Sequence, residues 1–188
     1  MSLIYLVRHA QTQPLTDRPP AEWPLSPRGE QQALALADVP FWGEVTAIYS
    51  SPEPKAVATV TPAPTRWGLT IHLVDDLREL ERPPGLVPDY EAAVAACFAA
   101  PERSVGGWEP AGQVQRRMTR AIRRLAEVAG GRPIAVASHG LSLALFLAGL
   151  EGRPAPSLDE WRALPMPGWA LLDLDTGRLI RPFSTLSL

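Results

Sequence analysis

Short apolar runs alternate with stretches of helical periodicity along the whole chain. The apolar runs predict strands over residues 3–7, 45–49, 70–74 and 133–137, and a terminal hairpin over 169–174 and 178–181. Apolar positions at helical spacing predict helices over 28–38, 54–60, 89–100, 110–129 and 141–150. Such alternation predicts an α/β fold: a single three-layer domain over residues 1–188, with a mostly parallel sheet and helices on both faces.

Composition narrows the classes of partner. A formal net charge of −2 gives no global basic field, so we expect no nucleic-acid partner. The longest apolar run, residues 141–150, is too short to span a bilayer, so we expect no membrane partner. The chain begins without a charged-then-apolar leader and holds one cysteine, Cys97, which together predict a cytoplasmic protein without an internal disulfide.

Arginines crowd one predicted helix. The helix over 110–129 carries an apolar stripe made of Val114, Met118, Ala121, Ile122, Leu125 and Val128. It also carries Arg116, Arg117, Arg120, Arg123 and Arg124. Basic residues beside an apolar stripe are typical of a solvent-exposed helix face, which we expect here, and a nucleic-acid patch is the alternative.

Two of the three histidines directly follow predicted strands. His9 comes after the first strand in "IYLVRHAQTQ", with Arg8 before it, and His139 follows the fourth strand in "PIAVASHGLSL". Ligands bind at the carboxyl ends of the strands in open α/β sheets, and a helix N-terminus favours anions. These residues therefore predict a phosphate pocket, whereas His72, inside the third predicted strand, is predicted to be structural.

The other two strand ends add a cation and an acid. "IYSSPEPKAV" delivers Lys55, the only lysine of the chain, into the first turn of the next helix, and "LVDDLRELE" delivers Glu79. A phosphate site needs cations for the oxygens and a group that transfers protons. Four strand ends thus offer the side chains of phosphate chemistry.

Six segments are similar, in sequence and in order, to those of one known family. "LVRHAQT" resembles the family's Arg-His-Gly motif, with Ala10 at the glycine, and "LSPRGEQQA" resembles its Leu-Thr-x-Arg-Gly-x-x-Gln-Ala stretch. "IYSSPEPKAVAT" resembles Ser-Ser-Pro-x-x-Arg-Ala-x-x-Thr, and "LREL" the segment that carries the acid. "GGWEPAGQVQRR" resembles Gly-Gly-Glu-Ser…Val-Gln-x-Arg, and "VASHG" the second-histidine motif. The family is the histidine phosphatase superfamily, the phosphoglycerate-mutase-like proteins.

The resemblance implies a phosphatase that hydrolyses a small phosphomonoester through a covalent phosphohistidine on His9, without a metal or a cofactor. It implies catalytic roles for His9, Glu79 and His139, and phosphate binding by Arg8, Lys55, His139 and Gly140. Glu79 would protonate the leaving oxygen and then activate water, with Glu81 and Glu109 as the next candidates. The partner it implies is a small phosphorylated substrate.

The sequence departs from the family pattern at three points. Lys55 stands where the family has its second arginine, Pro110 replaces the serine of Glu-Ser, and an asparagine that some members carry after the first motif is missing. Two alternatives stay open beside the phosphatase. One is a phosphoglycerate-type mutase, which the compact length disfavours, and the other is a phosphate-binding pseudoenzyme.

Specificity is expected to lie in the loop 81–110, where the pattern is weakest. Trp108, Tyr90 and Arg82 either contact the leaving group there or pack the loop against the domain. For Trp108 we expect packing, because a large apolar ring gains most from burial.

Overall fold

Six strands form the central sheet in the structure, a computed structural model that describes residues 2–185. They are β1 (Leu3–Arg8), β2 (Ile48–Ser50), β3 (Ile71–Leu73), β4 (Ile134–Ser138), β5 (Gly168–Asp173) and β6 (Arg178–Thr185). Their order is β3-β2-β4-β1-β5-β6. The first four strands of that order pair in parallel, and β5 and β6 pair antiparallel as the predicted terminal hairpin.

Helices cover both faces of this sheet, as predicted. They are α1 (Pro27–Ala37), α2 (Pro54–Val60), α3 (Pro62–Trp67), α4 (Tyr90–Ala99), α5 (Ala111–Ala129), α6 (Gly140–Leu150) and α7 (Leu158–Arg162). Short 3-10 turns lie at Pro20–Glu22, Pro40–Gly43 and Asp75–Leu77. Among the helices of residues 2–185, none is long and apolar enough to cross a membrane.

Alternating side chains of β1 divide the core into two clusters. Ile4 and Leu6 pack with α4, α5 and α6 on one face, and Tyr5 and Val7 pack with α1, α2 and α3 on the other. Successive residues of a strand point to opposite faces, so a strand that is apolar throughout must be covered on both sides. The three-layer α/β prediction is therefore confirmed.

The element boundaries differ from the sequence predictions in a few places. The helix over 54–60 ends at Val60 as predicted, and Pro62 then opens the additional helix α3, because the N–H that proline lacks has no hydrogen-bond partner in the first turn of a helix. The helix α7 was not predicted, although Ser157 and Glu160 form a capping box at its start. Val128, placed in the apolar stripe, is 67% exposed.

The segment "LSPRGEQQA" fixes the loop that follows β1. Ser26 caps α1 by accepting the Gly29 N–H (3.0 Å), and its hydroxyl donates to Gln11 Oε1 (3.0 Å). The Gln11 N–H in turn donates to the buried Gln32 Oε1 (3.0 Å). A Cβ at Gly29 would lie 2.0 Å from the Gln11 carbonyl oxygen, so this approach of helix and loop requires glycine. The start of α1 thus holds the chain directly after His9.

We expect Gly29→Ala to destabilise the protein by about 1–3 kcal/mol, because the added methyl group collides with backbone that cannot rotate away. The free energy of unfolding in urea measures this loss. Leu34→Ala is the matched control, since Leu34 is 61% exposed on the same helix. It should change the free energy by no more than about 0.5 kcal/mol. Equal stability of Gly29→Ala and wild type would contradict the steric argument.

Candidate active site

A cavity of about 400 Å³ opens at the carboxyl ends of the parallel strands. Five of the six residues predicted to form the site line it: Arg8, His9, Lys55, Glu79 and Gly140. The sixth, His139, is fully buried beside them, with its ring centroid 5.1 Å from that of His9. The structure therefore brings together all six residues that the sequence singled out.

His9 is held in one tautomer by the backbone. Its Nδ1 lies 2.8 Å from the Ala10 carbonyl oxygen, which can only accept, so the ring proton belongs on Nδ1 and Nε2 keeps its lone pair. The Ala10 N–H donates to Thr59 Oγ1 (2.8 Å), which fixes the carbonyl as well. Burial lowers the pKa of His9 to about 3, helped by the charges of Lys55 and Arg8 and opposed by the Ala10 hydrogen bond. The imidazole is therefore neutral at physiological pH.

Arg8 lies directly against the start of α6. Its Nη1 donates to the Leu164 carbonyl oxygen, while its Nε is buried without a partner. A Cβ at Gly140 would lie 2.8 Å from Arg8 Nη2, so only glycine allows the guanidinium to reach this position. The first residue of α6 thus makes room for the cation beside His9.

His139 turns one ring nitrogen toward Ser51 and leaves the other without a partner. Its Nε2 lies 2.7 Å from Ser51 Oγ, and that oxygen already accepts the Glu53 N–H (3.2 Å). The Ser51 hydroxyl can therefore donate to Nε2, which assigns the ring proton of neutral His139 to Nδ1. Nδ1 is buried and unpartnered. Burial lowers the pKa of His139 well below its ordinary value, with a further contribution from His9.

Glu79 lies at the N-terminus of α6. Its Oε1 accepts the N–H of Ser142 (2.9 Å) and its Oε2 that of Leu141 (3.2 Å). The Ser142 hydroxyl and the Leu80 N–H, both at 3.0 Å from Oε1, complete its surroundings. A carboxylate at the positive end of a helix is stabilised by these amides and by the helix dipole.

Arg117 corrects the expectation of a solvated arginine face. Arg116, Arg120, Arg123 and Arg124 are exposed, but Arg117 is only 7% exposed. Its guanidinium donates to both oxygens of Glu109 (2.9 Å each) and to the carbonyl oxygens of Asp76, Arg78 and Glu79 at 2.7, 2.8 and 3.0 Å. Arg117 lies near the start of α5, under the loop that carries Glu79. Its guanidinium is therefore buried, and not solvent-exposed as expected.

Glu109 is the counterion of this buried arginine. Burial raises its pKa, but the hydrogen bonds and the charge of Arg117 outweigh that effect, and the pKa of Glu109 lies below its ordinary value. Glu109 therefore binds Arg117, while Glu81, the other candidate acid, is exposed at the cavity wall.

Glu53 is a residue of the cavity that the sequence reasoning missed. It is 6% exposed, and Lys55 Nζ donates to its Oε2 and to the Pro20 carbonyl oxygen (2.8 Å). Its Oε1 accepts the Glu79 N–H (2.7 Å) and lies 3.5 Å from His139 Nε2. The signal was an acid two residues before the only lysine, but a glutamate before a helix also predicts an ordinary solvated first turn.

An aromatic wall closes one side of the cavity. The Trp108 ring is 5% exposed within the main core cluster, which confirms the predicted packing. Tyr90 lies against it, with ring centroids 5.6 Å apart, and the Arg82 guanidinium carbon lies 5.1 Å from the Tyr90 centroid and 5.7 Å from that of Trp108. Tyr90 and Arg82 line the cavity, so they are placed to face a leaving group.

His72 lies away from this cavity. It is exposed on the edge strand β3, where its ring stacks on Tyr49 at 5.3 Å between centroids. In the part of the chain that the structure describes, no group of three or more His, Cys, Asp or Glu side chains is placed to hold a metal ion. Independence of metal stays a prediction.

Comparisons with known proteins identify the fold and the family. No curated protein sequence matches the chain. Among solved structures, a mycobacterial glucosyl-3-phosphoglycerate phosphatase complexed with VO3 is similar over 92% of this chain and 93% of its own, with 24% identity and a TM-score of 0.73. YhfR of Bacillus stearothermophilus is similar over 97% and 96%, with 21% identity and a TM-score of 0.75.

A third solved structure is a mutant phosphoserine phosphatase of Entamoeba histolytica in complex with phosphoserine. It is similar over 97% of this chain and 96% of its own, with 18% identity and a TM-score of 0.68. At these identities the likeness establishes the fold. The family described as the histidine phosphatase superfamily (branch 1) matches residues 4–180. With nearly the whole chain matched and both histidine motifs meeting in one cavity, the protein belongs to the histidine phosphatase superfamily, in its branch 1.

Proposed function

We propose that the protein is a phosphatase that hydrolyses a small phosphomonoester through a covalent phosphohistidine on His9. One observation carries the proposal. Among residues 2–185, the buried side-chain nitrogens and oxygens without a partner are Arg8 Nε and His139 Nδ1, and both belong to residues flanking His9. A buried N–H without an acceptor is costly, and an anion beside His9 would satisfy both.

The chemistry follows from the neutral imidazole. His9 Nε2 attacks phosphorus and forms the P–N bond, the bond to the ester oxygen breaks, and Glu79 gives that oxygen its proton. Water then attacks the phosphohistidine, Glu79 takes a proton from the water, and inorganic phosphate leaves with His9 restored. Splitting the displacement in this way replaces one difficult step by two easier ones.

The remaining residues bind the charge that is spread over the phosphoryl oxygens. Arg8, Lys55 and His139 Nδ1 supply donors, and Gly140 supplies the first backbone N–H of α6. Donors fixed before the reaction stabilise a transition state without reorganisation. The Leu141 and Ser142 amides hold the Glu79 carboxyl group at the cavity, where it gives a proton to the leaving oxygen in the first step and takes one from water in the second.

The cavity supports a small leaving group. About 400 Å³ accommodates a phosphoryl group and a compact alcohol, at the low end of the range for ligand pockets. Two of the similar structures are named as phosphatases of small phosphorylated molecules, glucosyl-3-phosphoglycerate and phosphoserine, which supports the same class here.

We expect His9→Ala to lose the covalent intermediate. Protein quenched during turnover of a labelled phosphomonoester should carry label that is stable in alkali and lost in acid, as phosphohistidine is. The variant should carry none, because His139 has its Nε2 on Ser51 and its Nδ1 carries the ring proton, so neither nitrogen offers a lone pair for attack. Label that persists in His9→Ala would contradict the assignment.

Wild type and His9→Ala also distinguish the phosphatase from the two alternatives, a mutase and a pseudoenzyme. Wild type should hydrolyse p-nitrophenyl phosphate in EDTA, and His9→Ala should not. Phosphoryl exchange between glycerate positions, measured in parallel, would instead indicate a mutase. Neither activity in the wild type would indicate a pseudoenzyme.

We expect Glu79→Gln to depend on the leaving group. A good leaving group such as p-nitrophenolate needs little protonation, whereas an alkoxide needs a proton in the transition state. The variant should therefore lose far more turnover on an alkyl phosphate than on the nitrophenyl ester, by roughly 100-fold in the ratio of the two kcat values. Glu81→Gln, at the exposed wall, is the control. Equal losses on both esters would assign the acid elsewhere.

We expect Lys55→Ala to lose roughly 100-fold in kcat, the scale of one transition-state oxyanion contact. Lys55→Arg should recover only part, because Lys55 is 6% exposed between Glu53 and Pro20, and a planar guanidinium does not fit where a compact ammonium does. Steady-state kinetics on p-nitrophenyl phosphate measure both. Wild-type turnover in Lys55→Ala would place Lys55 outside the phosphate site.

A further inference from the structure

Glu53 puts a negative charge into a cavity that is expected to receive a phosphate. Its carboxylate is 6% exposed, lines the same cavity as His9, and accepts from Lys55 Nζ and from the Glu79 N–H. It stands at the N-cap position of α2 but makes no cap hydrogen bond with its side chain. The side chain is therefore turned away from the helix and toward the phosphate site.

The formal charges that line the cavity cancel. The cations are Lys55 from α2, Arg8 from the end of β1, and Arg78 and Arg82 from the loop after β3, and the acids are Glu53, Glu79, Glu81 and Glu109. The rings of His9 and His139 are neutral. Four cations thus meet four acids, so a phosphate dianion would enter a cavity without net positive formal charge and beside the buried Glu53.

We propose that Glu53 takes up a proton from solvent when a dianion enters, and that Lys55 then moves one hydrogen bond from Glu53 to the phosphate. The inference rests on the proposed function, because it concerns the same site. The proton binds Glu53 Oε2, the oxygen that Lys55 releases, while Oε1 keeps the Glu79 N–H. Departure of the product returns the proton to solvent.

Two observations support this exchange. Burial raises the pKa of Glu53 despite the opposing charge and hydrogen bond of Lys55, so its surroundings favour the neutral form relative to a solvated glutamate. A second anion nearby raises the pKa of a carboxyl group further. The Lys55–Glu53 contact is also the one that can be given up, since Pro20 O retains the ammonium at 2.8 Å.

The exchange accounts for a lysine where the family pattern has arginine. An ammonium carries three donors on a rotatable bond, so it can keep Pro20 O and pass one donor between Glu53 and a phosphate oxygen. A guanidinium presents its donors in a fixed plane and would have to shift as a whole. Pro54 lies between Glu53 and Lys55 and restricts the backbone that connects these two residues.

Sulfate is the probe, because it is a dianion at every pH of the experiment and brings no titratable proton of its own. Calorimetric titration near pH 7 in buffers of different ionisation enthalpy measures the protons taken up on binding. We expect wild type to take up a proton with each sulfate, and its affinity to fall by up to about tenfold per pH unit toward alkaline pH. Glu53→Gln should bind sulfate without proton uptake and with a flatter pH dependence.

Glu81→Gln is the matched control, since it removes the same charge from the same cavity wall without touching Lys55, and should keep the wild-type proton uptake. Infrared difference spectra of wild type give a second measurement that needs no variant. Sulfate binding should produce the carbonyl band of a protonated carboxylic acid.

Three outcomes would overturn the inference. Sulfate binding by wild type without proton uptake would show that Lys55 and Glu53 stay paired. Uptake that persists in Glu53→Gln would assign the proton to Glu79 or a histidine, and infrared bands of an imidazolium in place of a carboxylic acid would assign it to a histidine. Failure of wild type to bind sulfate would overturn it as well. The phosphohistidine on His9 is tested separately, by the acid-labile label of the quenched protein and its loss in His9→Ala.

Discussion

The register between β1 and β4 is the constraint on which the site depends. Arg8 pairs with Ser138, and the His9 N–H donates to the Ser138 carbonyl oxygen at 3.1 Å, so the two histidines become neighbours as the strands end together. A slip of one residue would turn each side chain to the other face of the sheet. Both faces of β1 are buried, so such a slip would put Tyr5 and Val7 into the cluster that is packed around Ile4 and Leu6, and the reverse. The packing of the core therefore holds the catalytic geometry.

Assembling these groups away from water works against stability. Removing the charges of Glu53 and Lys55 from solvent costs more desolvation free energy than an exposed ion pair gains from its attraction. The buried, unpartnered nitrogens of Arg8 and His139 add to that cost. The surrounding backbone offsets part of it: the carbonyl oxygens of Ala10, Pro20 and Leu164 each accept from a side chain of the site. Backbone carbonyl oxygens thus bind part of each of these side chains, and the remaining nitrogens are left for a ligand.

The sequence allowed the histidines to be predicted because their environment is local. A residue at the end of an apolar run, before a helix, lies at a sheet edge whatever the rest of the chain does, and His9 and His139 both satisfy that condition. The fold class follows from the same periodicity. The ends of the second and third predicted strands placed Lys55 and Glu79 at the same edge, and the family resemblance then gave these residues their roles.

Burial of polar groups could not be predicted in the same way. Arg117 occupies a helix position that reads as solvent-facing, and only the loop packed over the start of α5 removes it from water. From the sequence, Glu53 is expected to be a solvated acid at the start of a helix. In the structure, Lys55 Nζ and the Glu79 N–H bind its carboxylate. The need for glycine at Gly29 and Gly140 likewise comes from partners distant in sequence, Gln11 and Arg8. Such contacts exist only after the chain has folded.

The aromatic wall links the evolution of specificity to that of folding. Trp108 belongs to the main core and also contacts Tyr90 and Arg82 at the cavity, so replacing it would alter the stability and the cavity wall together. Leu86, in contrast, is 62% exposed at the same cavity and lies outside the core clusters. Substitutions that reshape the cavity are therefore tolerated best at the exposed rim around Leu86, while the wall behind it changes only with compensating substitutions in the core.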